Sequence, residues 1–262
     1  MEPTRGNSAA LSAFATQCHA LTEARLDSAI VEEAVLVERG TQPLGFFKRM
    51  MIRFLVGDSL PELQAPVDFC RVTAKLRTTP GSEITAEVWL PQQWNSKLLA
   101  FGGGGFNSGL GAAWLVLHGP LKKGYVGMAT DAGHAETKSA KFTRDSPEQY
   151  TDYAYRANHV AAAFLRTLVA SYYGTPVKRA YFHGCSNGGR DALMEARRFP
   201  EDYDGIIAGA PAAGWSKLMT SFAWNAQAVR VAPSYDGSPG LSKSRKMGRD
   251  CPAPVPATMR TW

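Results

Sequence analysis

Gly184-Cys185-Ser186-Asn187-Gly188-Gly189 lies between two runs of opposite character. Before it, Lys178-Arg179-Ala180-Tyr181-Phe182-His183 has the composition of a strand. After it, Asp191-Ala192-Leu193-Met194-Glu195-Ala196-Arg197-Arg198 is rich in helix formers. The hexapeptide contains G-x-S-x-G, the turn that lifts a serine hydroxyl off the end of a strand and onto the start of a helix. Its glycines remove Cβ atoms that would collide where the helix returns under the strand. A serine held there sits at a helix N-terminus, where backbone N–H groups and the helix dipole favour an oxyanion.

Working outward, the flanking elements extend the same alternation. Ile84-Thr85-Ala86-Glu87-Val88-Trp89-Leu90, Lys97-Leu98-Leu99-Ala100-Phe101 and Tyr125-Val126-Gly127-Met128-Ala129-Thr130 read as strands. The run Ile30–Val37 could open a sheet. A helix is predicted from Gln149 to Tyr173, with Tyr153, Ala157, Val160, Ala161, Phe164, Leu165, Leu168 and Tyr172 on its apolar face. The serine strand, the helix after it and Asp204-Gly205-Ile206-Ile207-Ala208-Gly209 complete a β-α-β-α-β order. That order argues a mostly parallel, doubly wound α/β sheet. Phe46–Val56, apolar and basic, reads as a partly buried local element, with a membrane-surface helix as the alternative.

Composition bounds the function. With 262 residues, 45% hydrophobic and 20% charged, the chain is ordinary globular protein. No apolar stretch approaches the ~18–20 residues that cross a bilayer, and Met1–Ser8 lacks the basic start and apolar stretch of a signal peptide. Of the net charge of +6, +4 falls between Arg230 and Trp262 without interleaved aromatics or a binding motif, which argues against nucleic acid. The same stretch carries five prolines and no periodicity. The expected organisation is therefore an N-terminal segment over 1–66, an α/β core over 67–229 and an irregular tail over 230–262. Cys18, Cys70, Cys185 and Cys251 form no C-x-x-C pair, so zinc and thioredoxin-like chemistry are not expected. Cys185 is either a small buried apolar residue or the anchor of a disulfide that fixes the turn.

A serine elbow needs two backbone N–H donors for the oxyanion and a histidine base oriented by a carboxylate. One donor comes from the residue after the serine, Asn187. The other is expected from a glycine-rich loop after an earlier strand, and Gly102-Gly103-Gly104-Gly105 follows Phe101. The base is the difficulty. His19, His118, His134, His159 and His183 all precede Ser186, whereas in the hydrolase order Ser…Asp/Glu…His the base follows. His183 reads as structural, His159 as a partly buried helix residue, and His134 as a residue that either polarises or positions a group or stabilises a loop.

From Cys70 to Trp215 the chain closely resembles the tannase/feruloyl esterase family of serine carboxylesterases. The matching segments include Phe69-Cys70-Arg71-Val72, Val88-Trp89-Leu90-Pro91, Gly102-Gly103-Gly104-Gly105-Phe106-Asn107 and Thr130-Asp131-Ala132-Gly133-His134. They continue with Gly184–Arg190 and Glu195-Ala196-Arg197-Arg198-Phe199-Pro200-Glu201-Asp202-Tyr203-Asp204-Gly205-Ile206-Ile207-Ala208-Gly209-Ala210-Pro211. The resemblance implies an α/β-hydrolase-like core, incomplete at its C-terminus, that acts on small esters of hydroxylated aromatic acids. Ser186 would be the acylated nucleophile, and Gly103 or Gly104 with Asn187 the oxyanion hole. Cys18 and Cys70 match cysteines that pair in the family. Cys185 matches the cysteine before the nucleophile, whose family partner adjoins the catalytic histidine. After Trp215 the family continues into a lid domain with a calcium-binding loop and then supplies the catalytic aspartate and histidine. No cofactor or metal is therefore expected in this chain, which reads as a truncated or frameshifted product altered from Arg245 onward. A secreted or periplasmic location follows from the same resemblance, which says nothing of oligomeric state.

Overall fold

In a computed structural model that describes residues 5–24, 26, 29–41, 64–106, 110, 113–135 and 139–231, seven runs become strands. They are β1 (Ala29–Val37), β2 (Phe69–Leu76), β3 (Ile84–Pro91), β4 (Lys97–Phe101), β5 (Val126–Thr130), β6 (Arg179–Cys185) and β7 (Gly205–Gly209). They form one sheet in the order β1-β2-β3-β5-β4-β6-β7. From β5 onward every pairing is parallel. On the other side β1, β2, β3 and β5 pair antiparallel. The expected parallel sheet is thus the half that carries the serine turn, and the whole sheet is mixed. The reason is loop length: only Arg77–Glu83 separates β2 from β3, enough for a hairpin and too short for a crossover helix.

Strand β2 is not among the strands expected from the sequence. Its signal is plain in retrospect, because Cys70, Val72, Ala74 and Leu76 are buried while Arg71, Thr73 and Lys75 alternate with them. At the centre, β5 is buried at all five positions, as expected of a strand covered on both faces.

Helices cover both faces. One core joins Phe14 and Cys18 of α1 (Arg5–His19) to inward residues of β2 and β3 and to Ala161, Leu165 and Leu168 of the long helix between β5 and β6 described below. The other gathers Phe69, Trp89, Phe101 and Ala113 with Leu117 and Leu121, around the short helices α2 (Ala113–Val116) and α3 (His118–Lys122). A disulfide between Cys18 and Cys70, with Cα atoms 5.6 Å apart, ties α1 to β2.

Between β5 and β6 the predicted helix is present but interrupted. After α4 (Lys141–Asp145), α5 (Pro147–Thr151) passes through one π-helical turn, Asp152–Arg156, into α6 (Ala157–Tyr173). Gly174, at φ +67°, terminates α6 in the left-handed conformation. The turn is anchored by Asp152, which is 1% exposed and accepts from Ser82 Oγ at 2.8 Å and from Arg156 Nε at 2.6 Å. Hydrophobic periodicity does not register such a turn, because the residues on either side keep their apolar face. Helix α7 (Asn187–Arg198) connects β6 to β7.

The chain divides into two compact units, 1–213 and 214–262. Of the second, the structure describes helix α8 (Trp215–Val231), along which Phe222 and Trp224 are exposed. Phe46–Val56, Cys251 and the rest of the proline-rich tail lie outside the described residues. No described helix is long and apolar enough to cross a membrane.

Candidate active site

Strand β6 delivers Ser186 to the first turn of α7. The serine adopts φ +59° and ψ −118° and is exposed. That conformation is unfavourable for a residue with a Cβ, by about 1–3 kcal/mol, and persists only where the surroundings enforce it. Here the backbone enforces it. Ser186 N–H donates to the Gly209 carbonyl at 3.0 Å, and the Ser186 carbonyl accepts from Ala212 N–H at 2.9 Å and Arg190 N–H at 3.1 Å. A Cβ on Gly184 would run into the Gly188 carbonyl, so the strand and the helix can approach only through glycine.

The glycine loop lies against the same helix start. A Cβ on Gly188 would stand 2.7 Å from the Gly103 carbonyl oxygen, and one on Gly102 would stand 2.7 Å from Gly188 Cα. Gly102 N–H donates to the His183 carbonyl at 3.1 Å, which carries the β4–β6 pairing into the loop. Ser186, Gly103, Gly104 and Asn187 therefore belong to adjoining segments at one end of the parallel strands. In open α/β sheets ligands bind at that C-terminal end.

Side chains from other elements hold the loop. The Gly103 amide is hydrogen-bonded to the carboxyl of Asp191, which is 6% exposed. Burial pushes Asp191 up to about 6, against the opposing pull of Arg190, the Gly103 amide and Asn158. Arg190 donates to Asp191 Oδ1 at 2.6 Å, to Asn187 Oδ1 at 2.7 Å and to the carbonyls of Tyr153 and Ala154. The Tyr153 hydroxyl stands 2.9 Å from both the Gly105 carbonyl and Asn187 Oδ1, and burial raises it to about 12. His134, 3% exposed and stacked on Phe142, donates from Nε2 to the Phe106 carbonyl at 2.8 Å. Of the two roles open to His134, the geometry gives it the loop.

His183, His159 and His118 make their contacts elsewhere. His183 packs edge-on to Phe101, and burial holds its imidazole below the usual range. His159 stacks on Phe199 and donates from Nδ1 to Asp202 at 2.7 Å. His118 meets the Gln64 carbonyl. Among the described residues no histidine hydrogen-bonds the Ser186 side chain. Cys185 corrects the buried reading: it is an exposed free thiol, because the alternation of β6 buries Gly184 and turns its successor outward. No cluster of three His, Cys, Asp or Glu side chains able to hold a metal occurs among the described residues. A cleft of about 480 Å³ opens near Gln92–Asn95 and Lys122–Gly124. These residues precede β4 and β5, so the cleft is at the opposite end of the parallel strands from Ser186.

Sequence reasoning placed the serine and the glycines together but missed the groups that join them. Tyr153 counted as an apolar helix position and Asp191 as a helix residue. An aspartate that enters a helix behind Gly188-Gly189-Arg190, on its inward face, was the available sign.

Residues 70–247 match the family model for tannase and feruloyl esterase. A probable feruloyl esterase B-2 of Aspergillus flavus is 32% identical over 184 residues, 70% of this chain and 34% of its own length. An uncharacterized esterase of Xanthomonas campestris is 37% identical over 66% of this chain and 30% of its own length. The crystal structure of feruloyl esterase B from Aspergillus oryzae superposes with a TM-score of 0.68 and 25% identity, covering 82% of this chain and 40% of that one. The chain spans about a third of the length of the curated relatives it matches. With the elbow, the glycine loop and the matching span in agreement, this chain belongs to the tannase and feruloyl esterase family.

Proposed function

We propose that this chain carries the nucleophile and oxyanion site of a serine carboxylic ester hydrolase. Ser186 Oγ attacks the ester carbonyl. Backbone N–H groups of Asn187 and the glycine loop donate hydrogen bonds to the oxyanion of the tetrahedral intermediate. The alcohol leaves with a proton, an acyl-Ser186 forms, and water releases the acid. Because Asp191 already engages the Gly103 amide, Gly104 is the stronger partner for Asn187. The observation that carries this reading is the exposed Ser186 at φ +59°, beside a glycine loop packed on the first turn of its helix. The names of the relatives support esters of hydroxylated aromatic acids, such as feruloyl or galloyl esters, as the substrate class. The Cys18–Cys70 disulfide fits an oxidising compartment, and we place the chain as secreted or periplasmic.

The base of such a reaction is a histidine oriented by a carboxylate. Since no described histidine hydrogen-bonds the Ser186 side chain, this polypeptide by itself is expected to turn over slowly, on the order of 10³–10⁴-fold over water. The same observation favours a second reading, in which it binds esters without hydrolysing them. Purified protein and Ser186→Ala are to be incubated with methyl ferulate, methyl gallate and p-nitrophenyl acetate. Hydrolysis that disappears in Ser186→Ala supports the esterase. Equal rates in the two proteins overturn it.

A further inference from the structure

We infer that Tyr153 is a positioning residue that sets the spacing between the two halves of the oxyanion site; the inference rests on the esterase reading above. Two N–H donors can share one oxyanion only if the loop and the helix start are held at a fixed separation, since each donor must lie about 2.7–3.1 Å from the developing charge. Gly102–Gly105 has no side chains with which to fix itself. The Tyr153 hydroxyl touches both halves, the Gly105 carbonyl on the loop and Asn187 Oδ1 on α7, each at 2.9 Å. Its single proton is shared between two acceptors. Asn187 Oδ1 is served as well by Arg190 Nε at 2.7 Å, so the Gly105 carbonyl depends more on the phenol.

The phenol is itself fixed. The ring meets His134 and Phe142 edge-on at 5.3 and 5.2 Å, and the Arg190 guanidinium lies over it at 4.6 Å. It is presented by the π-helical turn, whose anchor, Asp152, is tied to Ser82 and Arg156. Tyr153 at Gly105 and Asp191 at Gly103 therefore bracket the Gly104 amide, one hold on each side.

The test is Tyr153→Phe, which removes the hydroxyl alone, with Tyr172→Phe as control, because the buried Tyr172 hydroxyl has no hydrogen-bond partner among the described residues. Amide hydrogen exchange in the whole chain gives the first readout and requires no turnover. Tyr153→Phe is expected to speed exchange at 102–106 by about 3- to 10-fold, the loss of one hydrogen bond, with exchange in β4 and β6 unchanged. Tyr172→Phe is expected to change neither. In p-nitrophenyl acetate hydrolysis kcat is expected to fall by a similar factor with KM unchanged. Exchange at 102–106 equal to wild type overturns the inference whatever the activity. If Ser186→Ala equals wild type while Tyr153→Phe loosens the loop, the esterase reading fails and the structural hold stands. If Ser186→Ala is dead and Tyr153→Phe is unaltered in both readouts, the hold fails and the esterase remains.

Discussion

The serine elbow and the glycine loop face one another, yet they are held in place by different physics. The elbow is fixed by backbone: hydrogen bonds from Ser186 to Gly209, Ala212 and Arg190, and glycines packed too closely to admit a Cβ. The loop is fixed by side chains that arrive from 28 to 48 residues away, His134 on Phe106 and Tyr153 on Gly105, and by Asp191 from α7. Steric exclusion makes the elbow intolerant and insensitive to pH. Hydrogen bonding makes the loop tunable and subject to the ionisation of its partners.

The sharpest way to break the comparison is Gly184→Ala. Its methyl would occupy the space of the Gly188 carbonyl, and backbone cannot yield as a flexible side chain does. A loss of at least about 3 kcal/mol in urea unfolding is expected. A soluble variant of ordinary stability would show that the elbow has slack, and the contrast would fail. Asp191→Ala comes next. It leaves the half-buried Arg190 without its carboxylate and Gly103 without its acceptor, at a loss of about 3 kcal/mol. Asp191→Asn should lose clearly less, since an amide oxygen can still accept. Equal losses in the two variants would mean that charge, and not acceptance by Asp191, holds the loop.

A smaller effect separates the far end of α7 from the loop. Glu195 is 1% exposed, one of its oxygens has no hydrogen-bond partner among the described residues, and its carboxyl is pushed up to about 9 by burial, with Asp202 and Asp191 adding to the shift. The folded chain therefore keeps a proton that the unfolded chain releases from about pH 4.5 upward. Stability contributed by this group falls as pH rises from about 4.5 to about 9, by up to ~1 kcal/mol per unit. Glu195→Gln should flatten the decline in Tm between pH 6 and 9. An unchanged slope would remove Glu195 as its cause.

How far the site is legible depends on which kind of contact makes it. Ser186, Asn187 and the 102–105 run stand out because elbow and loop each form a pattern contiguous in the chain. Strands β3, β4 and β5 follow from runs that alternate or are continuously apolar. Strand β2 carries the same kind of signal in its alternation of buried and partly exposed residues. The π-helical turn was not readable, since Tyr153 satisfies helical periodicity on either geometry. Nor were the partners of Asp191 and His134, because a polar residue in a sequence does not declare whether its acceptor lies in the next turn or on another element. The free thiol of Cys185 is similar: its neighbours say strand end, and only the direction of the sheet face says exposed.

By itself the sequence determined the turn that raises Ser186, the glycine run that can approach it and the strands that bring both to one end of a sheet. These follow from the excluded volume of Cβ atoms and from the period of apolar side chains, which act over a few residues. Tertiary structure alone decided that β1 to β3 join the sheet antiparallel, that Cys185 faces outward and that Tyr153 and Asp191 bracket Gly104. Those outcomes rest on hydrogen bonds between groups distant in the chain, whose partners exist only once the layers have packed.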